Sequence, residues 1–207
     1  MKVTQIEALS KTRSKIYIEG EFAFVLYRGE LRLYHVREGE EISEQDYRAI
    51  LDEVLPKRAK LRAMNLLQKR EYTVEELRRK LRQGCYPPEV IEEALSYVAS
   101  YRYTDDMRYA EDYITVHAED RSRRRIEQDL MAKGISKDTI EKAWQVWQDK
   151  GGVWDEQEQI WNLLRKRNYD PAGADQKERQ KTYAFLMRKG FSTETIHRVL
   201  RAEEYFD

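Results

Sequence analysis

From residue 57 onward, apolar side chains recur at intervals of three and four, the period of one buried helix face. A first helix over about 57–70 is predicted to turn Leu61, Met64 and Leu67 inward. Thr73 and Glu76 have the spacing of a capping box and start a second helix with Leu77 and Leu81 inward, ended by Gly84. Pro87 and Pro88 suit the first turn of a third helix, where a missing N–H costs little. Val90, Ile91, Ala94, Leu95 and Val98 form its apolar stripe.

The same layout follows twice more. Thr104 or Asp105 is expected to cap a helix carrying Tyr109, Ala110, Tyr113 and Ile114. A polar stretch at 117–123 leads to a helix over about 123–133 with Ile126 and Leu130 inward. Gly134 stops it, Ser136 caps the next, and Ile140, Ala143, Trp144 and Trp147 line that third helix. Gly151-Gly152 reads as a joint. Beyond it, Ile160, Trp161, Leu163 and Leu164 mark one helix, and a loop holds Asp170, Pro171 and Gly173. Residues 176–189, with Thr182 or Tyr183, Phe185 and Leu186, form the next, and Ser192 starts the last, with Ile196, Val199 and Leu200. Residues 203–207 are expected to fray.

The first 36 residues follow another rule. Runs at 16–18, 22–27 and 31–34 are β-branched and aromatic, with Gly20 and Gly29 between them, which predicts a β-meander; residues 3–9 add a further strand. A polar turn surrounds Gly39. Ser43 then starts a helix with Tyr47, Ile50, Leu51 and Val54 on one face, ended by Pro56.

The chain also repeats itself in letters. Residues 130–144 read LMAKGISKDTIEKAW and residues 186–200 read LMRKGFSTETIHRVL, with a weaker copy, LRQGCYPPEVIEEAL, at 81–95. Repetition at this period marks stacked supersecondary units. The fold class expected is mainly α: three tandem three-helix, helix-turn-helix-like repeats in an elongated, curved body, with a small β-rich N-terminal extension. The segments are 1–56 for the extension with one helix, then repeats at 57–104, 105–152 and 153–207.

Composition agrees with a helical chain: 37% of residues are charged, with nine Gly and four Pro. Net charge is zero overall, but the four segments carry −3, +5, −2 and 0, so the first repeat is the basic one. The single cysteine, Cys85, leaves no disulfide framework and fits a reducing compartment. No apolar run reaches the roughly 20 residues of a spanning helix and the N-terminus lacks the apolar core of a signal peptide, so a cytoplasmic protein without a membrane partner is expected.

No catalytic set stands out, and neither a cofactor nor a metal is expected. Walker A spacing is absent, and His35, His117 and His197 are scattered. Asp105-Asp106 reads as a helix start before it reads as a metal site. The candidates for contact are basic clusters: Arg78, Arg79, Lys80 and Arg82 around Leu77 and Leu81, and Arg121, Arg123, Arg124 and Arg125 at a helix start. Cations are unfavourable at a helix N-terminus, so a purely structural role for the second cluster is less obvious. The plain alternative for both is a solvated helical face. Trp144, Trp147, Trp154 and Trp161 read as core rather than as a stacking platform.

Three stretches resemble the RecX family of regulatory proteins, modulators of the bacterial recombinase RecA. They are 63–81 with Leu77 and Leu81; Tyr103, Asp105, Asp106, Arg108, Tyr109 and Ala110; and Arg125-Ile126 with Leu130, Gly134 and Ile140. The likeness covers about 57–205. Gly84-Cys85-Tyr86 departs from the family's usual Lys-Gly-apolar turn. The resemblance implies a non-enzymatic monomer that lies in the groove of the RecA–DNA filament. It would inhibit ATP hydrolysis, strand exchange and coprotease activity, meeting single- or double-stranded DNA weakly or through the filament. Two other readings are a helix-turn-helix-like DNA-binding protein acting through its basic second helices, and a helical scaffold for another partner. The third helix of the first repeat carries Glu89, Glu92 and Glu93, which weighs against its entering a DNA groove.

Overall fold

The computed structural model describes residues 1–170 and 173–201. Pro171 and residues 203–207 therefore lie outside the described residues, and so do the expectations made for them. The chain divides into two compact units, Met1–Asp105 and Asp106–Asp207.

The first unit opens with an antiparallel meander of β1 (Val3–Ala8), β2 (Arg13–Ile18) and β3 (Glu21–Tyr27), in spatial order 1-2-3. Glu19 and Gly20 both have positive φ, 51° and 87°, as a two-residue hairpin turn matched to strand twist requires. The expected strand at 31–34 is instead part of a helix, α1 (Arg28–Leu33). The expectation rested on the short run of Leu31, Leu33 and Tyr34 set off by Gly29. In the fold Leu31 and Tyr34, three apart, pack on the core, and Leu33 is 65% exposed. Glu30 fixes the start of this helix by accepting from the Tyr27 N–H at 2.7 Å.

Ser43 caps α2 (Glu44–Ala49), its hydroxyl accepting from the Asp46 N–H. Pro56 does not end the helical run. A π-helical segment at Ile50–Val54 leads directly into α3 (Leu55–Leu67), with Pro56 in the first turn. The Leu55 N–H bonds to the Ile50 carbonyl five residues back, and this wider turn carries the chain past a proline that has no N–H to donate. The buried face of α3 is offset from the expected one: Met64 and Leu67 pack half-buried on the core, as expected. Ala59, Ala63 and Leu66 are buried and Leu61 is 52% exposed. Alanines there permit close packing against α5 (Pro88–Ser100).

Between these helices lies α4 (Val74–Gln83). Thr73 caps it through the predicted box: its hydroxyl accepts from the Glu76 N–H at 3.1 Å, and the Glu76 carboxylate accepts from the Thr73 N–H at 3.3 Å. Ile16, Phe24 and Leu26 of the sheet share one continuous core with Leu77, Leu81, Ile91 and Leu95. The β-rich segment is thus part of the wall of the first repeat.

In the second unit α6 (Asp106–His117), α7 (Arg123–Ala132) and α8 (Lys137–Asp149) surround Ala110, Ile114, Ile126, Leu130, Ile140 and Trp144. The Thr104 hydroxyl, considered as a cap for α6, has no hydrogen-bond partner among the described residues. Ser122 and Ser136 cap α7 and α8. Then α9 (Glu156–Lys166), α10 (Gln176–Arg188) and α11 (Thr193–Arg201) enclose Ile160, Leu164, Leu186, Phe191 and Ile196.

The turn after each second helix is the same device. The residue after the helix cap is left-handed: Cys85 at φ 60°, Gly134 at 89° and Gly190 at 90°. The next N–H returns to the carbonyl of Leu81, Leu130 or Leu186, and its side chain, Tyr86, Ile135 or Phe191, packs into the core. This is a Schellman ending with its apolar contact. Gly84 ends α4 as expected, as its C-cap, and the left-handed residue that follows is Cys85. Gly84 sits at φ −77°, where a Cβ would lie 2.9 Å from the Tyr86 ring.

Candidate functional site

The basic residues of α4 fall into two groups. Arg78 is clamped: its Nε is 2.8 Å from Glu92 of α5 and its Nη1 is 2.7 Å from Glu75. The hydrogen bonds that Arg78 donates to Glu92 and then to Glu75 raise its guanidinium pKa, and Arg78 in turn lowers that of Glu92. Arg79 reaches Glu75 at 3.7 Å. Lys80 is exposed with only a 3.5 Å bond to Gln83. Arg82 is exposed and has no side-chain hydrogen bond or ion pair among the described residues. Charge available to a partner on this helix therefore comes from Lys80 and Arg82.

The arginines around the start of α7 sort in the same way. Arg121 bonds to Asp129 and to the Tyr113 hydroxyl, each at 2.8 Å. Arg123 bridges Glu127 at 2.7 Å and Glu141 of α8 at 2.8 Å, 5.1 Å over the Trp144 ring. Arg125 reaches Asp129 at 3.1 Å. These carboxylates answer the unfavourable placement of cations at a helix N-terminus. Arg124 alone of the four is exposed without an ion pair or side-chain hydrogen bond among the described residues. The pairs Arg123–Glu127 and Arg125–Asp129 have i,i+4 spacing and were legible in the sequence. Glu92 and Glu141, at aligned positions on the third helices, became partners only through packing.

The motif positions are mostly structural. Leu77, Leu81, Leu130 and Ala110 are fully buried and Ile140 nearly so. Tyr109 is half-buried, stacked on Tyr113 with Lys133 5.4 Å over its ring. Asp105 directly precedes α6, Asp106 is its first residue and Arg108 is exposed in its first turn. Tyr103 departs from this pattern: it is 49% exposed and stacks on exposed Tyr101 at 5.8 Å. Trp144, Trp147 and Trp154 form an edge-to-face cluster on the core of the second unit.

The second and third repeats meet inside the second unit through polar contacts. The Ser122 N–H donates to the Lys189 carbonyl at 3.1 Å, and Lys189 Nζ donates to Asp120 at 2.7 Å. Gln159 donates to the Ala118 carbonyl. Gly190 lies so close to α7 that a Cβ would be 2.6 Å from both Ser122 Oγ and Arg125 Cβ. The contacts of Lys189 and Gly190 use the aligned turn of the third repeat as a joint, a role that the repeated letters did not reveal.

Among the described residues no group of three or more His, Cys, Asp or Glu is placed to hold a metal ion, and no helix is long and apolar enough to cross a membrane. Family models for the first, second and third three-helix domains of RecX match residues 59–97, 105–143 and 155–200. The regulatory protein RecX of Trichlorobacter lovleyi is 30% identical over 143 residues, 67% of this chain and 91% of that protein. The chain belongs to the RecX family. The RecX of Caldanaerobacter subterraneus is 29% identical over 203 residues, covering 97% of this chain and 98% of its own, so the likeness takes in the β-rich segment. A crystal structure of a regulatory protein RecX has the same fold at 24% identity and a TM-score of 0.54, covering 98% of this chain and 99% of that one. RecX from Lactobacillus salivarius also has a TM-score of 0.54, at 22% identity over 74% of this chain and 99% of its own. RecX membership makes this a regulatory protein of helical repeats.

Proposed function

We propose that the protein binds the RecA–DNA filament, in its groove, and restrains ATP hydrolysis, strand exchange and coprotease activity. Membership in the RecX family carries this reading. The basic faces support it: Arg78, Arg79, Lys80 and Arg82 on α4, and Arg121, Arg123, Arg124 and Arg125 around α7. Lys80, Arg82 and Arg124 supply the unneutralised charge, and the clamped arginines hold the faces rigid. Several weak contacts made at once along a repeating filament add up to firm binding. A base-reading DNA-binding role is disfavoured because the third helices expose Glu89, Glu92 and Glu93 on α5, and Asp138 and Glu141 on α8.

The test is co-sedimentation with RecA filaments formed on single-stranded DNA with a non-hydrolysable nucleotide. The unaltered protein is expected to pellet with filaments, and K80E/R82E/R124E to pellet weakly while keeping its helical circular dichroism. Failure of the unaltered protein to pellet overturns the RecA reading. Full binding by the folded triple variant overturns the assignment of these charges.

A further inference from the structure

Where the end of the meander meets the first repeat there is a cleft of about 400 Å³. Arg13 enters from the start of β2, Tyr27 from the end of β3, Arg62 from α3, Lys80 from α4, and Tyr86 from the turn after it. No carboxylate lines it. This sets it apart from neighbouring cations that are matched by acids: Arg78 with Glu75 and Glu92, Arg58 with Glu30, and Lys60 with Glu93. Among the described residues Arg13 and Arg62 make no side-chain hydrogen bond or ion pair, and Lys80 has only its long bond to Gln83. Glu30, on the helix that follows Tyr27, is taken by Arg58, which also donates to the Val25 carbonyl and lies 4.7 Å over the Tyr27 ring. The Tyr27 and Tyr86 hydroxyls have no partner among the described residues, and both can donate.

The arrangement is held in place from below. Gly84 lets the Tyr86 ring lie against the turn, since a Cβ there would be 2.9 Å from it. Burial raises the Tyr86 pKa, while Arg58, Arg62 and Arg13 act on the same hydroxyl in the opposite sense, as groups converging on one point do.

We propose that this cleft is a phosphate-binding site, taking a phosphate of a nucleic-acid strand or of a soluble nucleotide. Two guanidiniums, an ammonium and two phenolic donors around an acid-free space match the tetrahedral oxygens of phosphate, whether a terminal phosphate or successive phosphodiesters of a strand. Arginine, lysine and tyrosine are the side chains that hold backbone phosphates elsewhere, and aromatic walls beside cations suit an adjoining base. A carboxylate presents its two oxygens in one plane and leaves part of this splayed set of donors unanswered. The site joins the β-rich segment to the first repeat, so neither forms it alone. It shares Lys80 with the α4 face proposed for the filament, and the test without RecA reads it separately.

The test uses the full-length protein without RecA. The probes are a fluorescein-labelled oligothymidylate, read by anisotropy across a salt series, and unlabelled tripolyphosphate and oligoglutamate of matched charge as competitors. R13Q/R62Q/K80Q is expected to weaken oligonucleotide binding at least about tenfold. It is also expected to flatten the log–log salt slope by about 2, since each phosphate no longer neutralised removes roughly 0.7 from the slope. Gln at Lys2, Arg48 and Lys57, exposed cations of the same unit, is expected to change neither. R62K is expected to keep most of the affinity. Should R13Q disturb the sheet, R62Q/K80Q serves alone, as both residues are exposed. Displacement by tripolyphosphate assigns the site to phosphate from either source, and displacement only by unlabelled strand assigns it to nucleic acid. An unchanged salt slope in the folded triple variant overturns the proposal, and so does equal displacement by oligoglutamate.

Discussion

Gly190→Ala probes the joint between the last two repeats. Gly190 has φ 90°, and a Cβ there would lie 2.6 Å from Ser122 Oγ and from Arg125 Cβ. A left-handed alanine costs about 1–2 kcal/mol. The steric conflict adds about 1–3 kcal/mol, because Ser122 is itself fixed as the α7 cap, accepting from the Arg125 N–H at 3.2 Å. The total is about 2–5 kcal/mol. Gly151→Ala supplies the control within the same unit: its φ is 93° and nothing lies within 4 Å of its Cβ position, so only the conformational cost of about 1–2 kcal/mol applies. All four tryptophans, at 144, 147, 154 and 161, lie in the second unit, so urea unfolding followed by tryptophan fluorescence reads the right part of the chain. If the two variants lose equal stability, the close approach of the α10–α11 turn to α7 is refuted.

Cys85→Gly relieves a left-handed residue that its two aligned counterparts avoid; after the added flexibility of glycine in the unfolded chain, a gain of about 0.5–1 kcal/mol is expected in urea unfolding followed by far-UV circular dichroism. His117 has its pKa lowered by burial first and by Arg121 next, against Asp120 and Asp129. The folded state thus prefers the neutral ring, so stability is full above the unfolded pKa of about 6.5 and falls as pH drops through the folded pKa. Chemical melts of the second unit between neutral and mildly acid pH should show this slope, and H117Q should flatten it; equal slopes would contradict the assignment. Removing residues 1–56 strips Ile16, Phe24, Leu26 and Ile50 from the core shared with Leu77 and Leu81. The remaining first repeat is expected to lose its cooperative transition, and a cooperative melt of that fragment would show that the shared core is dispensable.

Much of this fold was written in the period of the apolar residues. The capping box at Thr73 and Glu76, the stripes of α5 and α8, and the caps at Ser43 and Ser136 depend on neighbours within one or two turns, and local sequence carries such information. The errors arose where partners are distant or where a small residue does the packing. Ala59 and Ala63 outrank Leu61 because α5 needs to come close. Leu31 and Leu33 alternate in the sequence, but the core takes Leu31 and Tyr34. Pro56 sits within a helical run because a π turn precedes it. Of the candidate contact residues, the two basic clusters were visible, but which of their members are neutralised was not. Glu92 and Glu141 come from other helices, and Arg13, Arg62 and Lys80 meet only when the meander folds onto the repeat. The departure at Gly84-Cys85-Tyr86 was visible as a lost glycine, and its consequence, a strained Cys85, required the backbone angles.

The most direct test of the regulatory account is RecA-catalysed ATP hydrolysis on single-stranded DNA, measured against rising concentrations of this protein. The account predicts a rate that falls with dose, and a shallower fall with K80E/R82E/R124E. A rate unchanged when the unaltered, folded protein is in excess over RecA would contradict it.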